Sequence, residues 1–120
     1  MHLRHAAAIA ASLLATIIVI DGDTVEVSGF RYRLLDFDAP EIGHAKCEKE
    51  RQRGVEAEQF LRSLIQTQKA ELLPRGLSED KYGRGLAYLR IDGENVAHIM
   101  VRAGLAKWYN GRGPRPDWCR

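Results

Sequence analysis

Several features that would point to a particular class of protein are scarce or missing here. The longest uncharged run, Ala6–Ile20, has fifteen residues, and a membrane-spanning helix needs about 20. Excess charge is missing as well, because 18 Lys and Arg stand against 16 Asp and Glu and leave a net +2. The chain is therefore no polycation, and affinity for nucleic acid would have to come from local clustering. Cysteine is nearly absent: Cys47 and Cys119 are the only two. An exported protein would pair them, closing a loop of about 70 residues worth up to about 4 kcal/mol. A cytosolic one would keep two unrelated thiols. His44 and Cys47 have a spacing usable for zinc but lack the second pair of ligands, so His44 reads as a solvated loop residue. There is no internal repeat and no low-complexity segment.

What remains is the composition of an ordinary soluble domain, 45% hydrophobic and 28% charged. At 120 residues it is large enough to bury one core. The start, "MHLRH" followed by an Ala/Leu-rich run, has the look of a secretion signal. Residues 1–15 are thus expected to be a signal-like or extra segment, and 16–120 a single domain. The expected location is periplasmic or secreted, and the alternative is a cytoplasmic protein with a mis-set start. The far end is basic, with Arg102, Lys107, Arg112, Arg115 and Arg120 against Asp117 alone.

Short apolar runs separated by turn signals predict strands at Thr16–Ile20, Thr24–Val27 and Phe30–Phe37, with Ser28-Gly29 as the second turn. Residues 42–54 are polar and read as irregular. From Val55 the spacing of Ala57, Phe60, Leu61, Leu64 and Ile65 predicts a helix. A strand at Ala70–Leu73 is expected to stop at Pro74. Another follows at Arg84–Ile91, closed by an Asp92-Gly93 turn. A second helix carries Val96, Ile99, Met100 and Ala103 on one stripe, with Gly104 as its C-cap and His98 facing solvent. The first three strands leave no room for crossover helices, so a parallel α/β fold is disfavoured. The pattern predicts a mainly β, α+β fold: a small closed or partly open five-stranded barrel with two helices packed against it, of which the oligonucleotide-binding barrel is one solution.

The stretch Val19-Ile-Asp-Gly-Asp-Thr-Val-Glu-Val27 holds one carboxylate more than a turn needs. Asp21 and Gly22 suit the turn, but Asp23 stands where a strand should resume. Adjacent strands would bring Asp23 near Asp38, with Glu41 just beyond. Carboxylates gathered in this way raise one another's pKa, and a hard divalent cation relieves the repulsion. The Asp-x-Asp-x-Asp-Gly run of an EF-hand loop is missing. Arg33 lies five residues before Asp38, and Arg84 sits between Gly83 and Gly85 in a turn. Two planar guanidinium forks beside a metal site suit phosphodiester cleavage, because they grip phosphate and stabilise the charge that grows on its oxygens.

"IDGDTV", "YRLLDFDAPE" and "DKYGRGLAY", in that order, resemble the staphylococcal nuclease (thermonuclease) family from about Thr16 to Trp108. The resemblance implies calcium-dependent cleavage of DNA and RNA that leaves 3′-phosphate and 5′-hydroxyl ends. One Ca2+ is implied, with Mg2+ the weaker fit. By position it implies Asp23, Asp38 and the Ala39 carbonyl as calcium ligands, with Asp21 as an outer-shell carboxylate. Glu41 matches the general base, and Arg33 and Arg84 match the arginines that grip the scissile phosphate. Lys81 and Tyr82 match contacts to a terminal phosphate. Tyr109, beside Trp108, is the candidate for stacking on a base. The family's long C-terminal helix has no counterpart in "RPDWCR". A Cys47–Cys119 clamp is the expected substitute, with Trp118 filling an apolar gap beneath it. The substrate is then DNA, RNA or both, acted on by a monomer. The alternative is a non-catalytic nucleic-acid-binding barrel, which would not need Asp23, Asp38 and Glu41 together.

Overall fold

Alternating apolar and polar side chains build the strands that the sequence predicts. The computed structural model describes residues 16–120, and the signal-like segment 1–15 lies outside them. The elements are β1 (Ile17–Asp21), β2 (Thr24–Val27), β3 (Phe30–Leu34), β4 (Phe37–Asp38), α1 (Glu48–Thr67), β5 (Ala70–Glu79), β6 (Gly85–Ile91), β7 (Glu94–Asn95), α2 (Val96–Arg102) and β8 (Lys107–Trp108). The five expected strands lie side by side in the order β1-β2-β3-β6-β5. All neighbours are antiparallel except β3 and β6, which run parallel with Tyr32 opposite Gly85. The fold is α+β, with a mixed sheet and two helices. Two short additions were not expected: β7 pairs with β6, and β4 pairs with β8 in a separate ribbon.

The turns follow local chemistry. Ser28-Gly29 and Asp92-Gly93 both have positive φ at each residue, the type I′ geometry that matches the twist of a hairpin. α2 ends in a Schellman cap. Gly104 takes φ 75°, its N–H donates to the Val101 carbonyl at 2.9 Å, and Leu105 N–H donates to Met100 at 3.0 Å. Of the expected α2 stripe, Val96 and Met100 are buried, but Ala97 takes the inward place given to Ala103.

Three boundaries differ from expectation. The strand expected over Phe30–Phe37 ends at Leu34, and Phe37 falls in the separate β4 beyond Asp36, whose φ is 83°. α1 begins at Glu48 and not at Val55. Its first two turns are polar, so they carry no apolar period. They are held by Cys47 as N-cap, whose Sγ accepts from Glu50 N–H, and by acids in the first turn. β5 runs through Pro74 to Glu79, with Pro74 opposite Ala87 and a register shift before Glu79. It is the outer strand of the sheet, where a missing N–H breaks no ladder.

Helix α1 packs on β1 around Ala57, Leu61 and Leu64, against Val19, Val25 and Leu89. Two glycines set how closely the site segments approach it. A Cβ on Gly22 would lie 2.8 Å from Ala57 Cβ and 2.9 Å from Ala39 Cβ. One on Gly54, inside α1, would lie 2.6 Å from the Glu41 carbonyl oxygen. Glycine within a helix usually costs about 1 kcal/mol relative to alanine. Gly54→Ala should nevertheless destabilise the protein by about 1–3 kcal/mol, because the backbone of Glu41 cannot give way as a side chain would. A lower urea midpoint at unchanged slope is the expected result, and a raised midpoint would show that the contact is slack.

Candidate active site

The Asp21–Asp23 turn, the β3–β4 segment and the loop leading into α1 converge on one buried, strongly charged region. Asp23 and Asp38 are buried, at 2% and 1% exposure. Between them stands Arg33, whose Nη2 lies 3.4 Å from Asp23 Oδ2 and 3.4 Å from Asp38 Oδ1. Its Nη1 donates to the carbonyls of Leu34 at 2.8 Å and Phe37 at 3.0 Å, which fixes the fork against the backbone. Asp23 Oδ2 also accepts from Ala39 N–H at 2.8 Å, tying the Asp23 turn to the segment that bears Glu41.

Asp21 and Glu41 complete the acidic side. Burial pushes the Asp21 carboxyl above its ordinary pKa, and the Asp23 charge adds to the effect. Glu41 is also raised, first by burial, then by the charges of Asp23 and Asp21, with Arg115 opposing. Mutual repulsion of this kind places Asp21, Asp23 and Glu41 in one field. Among the described residues no three His, Cys, Asp or Glu side chains form a ready-made metal cage. The donor set is nonetheless all oxygen, and its acids outnumber the arginines Arg33 and Arg115 that pair with them, which fits a hard divalent cation. Ca2+ tolerates an irregular shell of this sort better than Mg2+ does.

Arg84 enters from the β5–β6 turn. Its Nε donates to Asp80 Oδ2 at 2.7 Å, and Asp80 Oδ1 accepts from the N–H groups of Tyr82 and Arg84 at 2.9 and 3.0 Å. The turn thus holds its own guanidinium. Arg84 Nη1 then donates to Thr24 Oγ1 at 3.3 Å, and the Thr24 hydroxyl donates to Asp23 Oδ1 at 3.2 Å. One hydroxyl therefore separates Arg84 from the carboxylates. Lys81 Nζ and Arg84 Cζ lie 5.2 and 5.4 Å from the centre of the exposed Tyr82 ring, so these three form one cluster. Tyr109 stands apart from it. Its hydroxyl donates to the Gly113 carbonyl at 2.7 Å and its N–H to Asp36 at 3.0 Å.

Four participants were not anticipated. Thr24 is one. The others are Arg115, Trp118 and Glu50, which reach the site only through the tertiary fold. Arg115 Nε donates to Asp38 Oδ1 at 3.0 Å, and its Nη2 to Asp38 Oδ2 at 3.2 Å and Glu50 Oε2 at 3.3 Å. Trp118 Nε1 donates to Asp38 Oδ2 at 2.9 Å. Trp118 is buried, as the gap-filling expectation has it, but its indole N–H serves a carboxylate. Glu50 is 2% exposed and accepts from Glu41 N–H at 2.9 Å and Lys46 N–H at 3.0 Å. The Cys47–Cys119 disulfide is formed, with the Cα atoms 6.0 Å apart, so Cys47 is no partner for His44 at a metal. Among the described residues no buried side-chain N or O lacks a partner. Arg115 and Trp118 were signalled in the sequence only by the basic, tryptophan-bearing tail beside Cys119, and Thr24 and Glu50 by nothing.

A protein-family profile described as "Staphylococcal nuclease homologue" matches residues 31–117. The micrococcal nuclease of Shigella flexneri is 35% identical over 112 residues, 82% of this chain and 59% of its own length. Endonuclease YncB of Bacillus subtilis (strain 168) is 34% identical over 95 residues, 73% of this chain and 44% of its own length. The SPbeta prophage-derived endonuclease YokF of the same strain is 33% identical over 95 residues, 73% of this chain and 31% of its own length. The chain thus spans between 31% and 59% of the length of these relatives.

Proposed function

The chain belongs to the staphylococcal nuclease family, and on that premise we propose that it is a calcium-dependent nuclease that hydrolyses phosphodiester bonds of DNA, RNA or both. The observation that carries this reading is the Thr24 bridge, which sets Arg84 one hydroxyl away from mutually repelling carboxylates. A barrel that only binds nucleic acid would have no use for so many acids gathered beside a phosphate-gripping arginine.

Asp23, Asp38 and the Ala39 carbonyl, with Asp21 outside them, would hold the calcium ion, which when bound polarises a phosphoryl oxygen. Glu41 accepts the proton of the attacking water. Its carboxylate must be free of its own proton to do so. Arg33 and Arg84 stabilise the charge that accumulates on the phosphoryl oxygens. In-line attack with departure of the 5′-oxygen leaves the 3′-phosphate and 5′-hydroxyl ends that we propose. Lys81 and Tyr82, exposed beside Arg84, suit a second phosphate or the adjoining sugar, and Tyr109 a base. The Cys47–Cys119 disulfide supports an oxidising compartment, periplasmic or extracellular.

Heat-denatured DNA should be digested when calcium is present and left intact once a chelator is added. Salt-sensitive binding with no cleavage under either condition would instead establish the non-catalytic module. The pH profile of kcat/KM should show an acid limb, because Glu41 can take the proton of water only when its carboxylate carries none. The rate then falls as Glu41 takes up its proton. Glu41→Gln should lower turnover by about 10²–10⁴ and flatten the limb. An unchanged limb in Glu41→Gln would assign the base elsewhere.

A further inference from the structure

We propose that the C-terminal segment Arg115–Cys119 is a working part of the site: Arg115 and Trp118 are positioning residues for Asp38 and the Glu41 loop, and the Cys47–Cys119 disulfide is what seats them there. The catalytic half of this inference rests on the nuclease reading; the structural half does not.

The contacts of Asp38 carry the argument. Its buried carboxylate has four recorded polar contacts, and three of them come from the tail: two from Arg115, at 3.0 and 3.2 Å, and one from Trp118, at 2.9 Å. The fourth, from Arg33, is the longest at 3.4 Å. Without the tail a nearly inaccessible carboxylate would keep a single weak partner, an arrangement that a protein relieves by moving the group or admitting water. The fork of Arg115 also reaches Glu50, whose two oxygens hold the backbone N–H groups of Glu41 and Lys46. One guanidinium thereby couples β4 to both ends of the loop that bears the proposed base. A lysine in its place would supply the charge but not the planar, multi-pronged geometry.

The tail has little else to keep it in place. Among the described residues, 109–120 form no helix or strand. Beyond residue 110 Trp118 is the one buried side chain. Its exposed tethers are a few isolated contacts: Lys107 Nζ, 3.1 Å from the Asp117 carbonyl and 4.5 Å from the centre of the Trp118 ring, the Tyr109 hydroxyl on the Gly113 carbonyl at 2.7 Å, and Lys49 Nζ on the Arg120 carbonyl at 2.8 Å. Exposed contacts of this kind contribute little. The covalent link is of another order. It joins the residue after Trp118 to the N-cap of α1, three positions before Glu50. The same bond therefore fixes both ends of the Arg115–Glu50 contact. Reduction by a dithiol adds two electrons and two protons across the S–S bond, giving two thiols while the dithiol closes to its own disulfide. It leaves Arg115 and Trp118 dependent on the weak tethers.

The test uses the full chain in four forms: oxidised wild type, Cys47→Ser/Cys119→Ser, Arg115→Lys and Trp118→Phe, the last keeping ring packing while removing the N–H. Exchange of the Trp118 indole proton with solvent is followed by NMR, and steady-state kinetics by hydrolysis of single-stranded DNA. In oxidised wild type the indole proton should be protected, and in the double serine variant it should exchange at least about tenfold faster. Loss of a charge-assisted bond to Asp38 should lower kcat about tenfold or more in Arg115→Lys and several-fold in Trp118→Phe, with KM changed less than about twofold. Circular dichroism confirms that each variant folds. Equal protection without the disulfide, or wild-type kcat in both Arg115→Lys and Trp118→Phe, overturns the proposal. If oxidised wild type cleaves no nucleic acid, the nuclease reading fails, and the exchange measurement alone still upholds or overturns the clamp.

Discussion

Arg84→Ala is expected to lower turnover on single-stranded DNA by about a thousandfold while leaving the fold nearly as stable as before. The two effects separate because of where the side chain sits. Its bond to Asp80 is partly exposed, with 28% of the arginine side chain accessible, and partly exposed ion pairs are worth about 1 kcal/mol or less. Its catalytic value is larger. Asp80 and the turn backbone hold the guanidinium before substrate arrives, so little reorganisation remains when negative charge develops at phosphorus. That interaction is stronger in the transition state than in the ground state, so kcat should fall much further than KM rises. Arg84→Lys should recover only part of the loss, since a point charge cannot span Thr24, Asp80 and a phosphoryl oxygen as the fork does. Near-normal hydrolysis by Arg84→Ala would remove Arg84 from the mechanism.

The largest effect on stability is expected from Glu50→Ala, about 3–5 kcal/mol, or a fall in Tm of roughly 10–20 °C. Alanine would leave the N–H groups of Glu41 and Lys46 and one prong of Arg115 without their acceptor in a buried place. The same residue gives the protein an acid sensitivity. Burial works against the Glu50 charge, but the Lys46 and Glu41 N–H groups and Arg115 outweigh it, and the pKa falls below the ordinary 4.5. A lowered carboxylate contributes stability that is present above 4.5 and is lost as pH falls through the folded-state value. Glu50→Ala should therefore be less stable at neutral pH and lose less on acidification than wild type. Urea titrations at neutral and acid pH check this, and a variant as stable as wild type at neutrality would show that the loop holds itself.

What could be read from the sequence was local in origin. Alternation over Thr24–Val27, the Ser28-Gly29 and Asp92-Gly93 turns and the 3.6-residue stripe of α1 are each properties of a few neighbouring residues. The meeting of Asp23 with the Asp38–Glu41 segment was legible because both stand at ends of neighbouring strands. What escaped was set by partners distant in sequence. Residues 48–54 are polar on every face, so nothing in their pattern marks a helix. The N-cap is a cysteine, outside the usual set of capping residues, and Gly54 belongs to the helix only because the Glu41 backbone needs its missing Cβ. Pro74 is tolerated because β5 is an outer strand, a fact about the sheet and not about the segment. Arg115 and Trp118 meet Asp38 across 77 and 80 residues, and no spacing rule connects them.

The disulfide also closes residues 47–119 into a covalent ring, and the exposed, register-shifted stretch of β5 between Pro74 and Glu79 lies on that ring. Leu77 there is fully accessible, the kind of place where proteases cut. A single cut at Leu77 would open the ring without releasing either piece. Asp21 through Glu50 would remain on one fragment, Arg84 through Trp118 on the other, and the sulfur bridge would keep them as one molecule. Nicked protein of this kind would run intact on a non-reducing gel and as two bands after reduction.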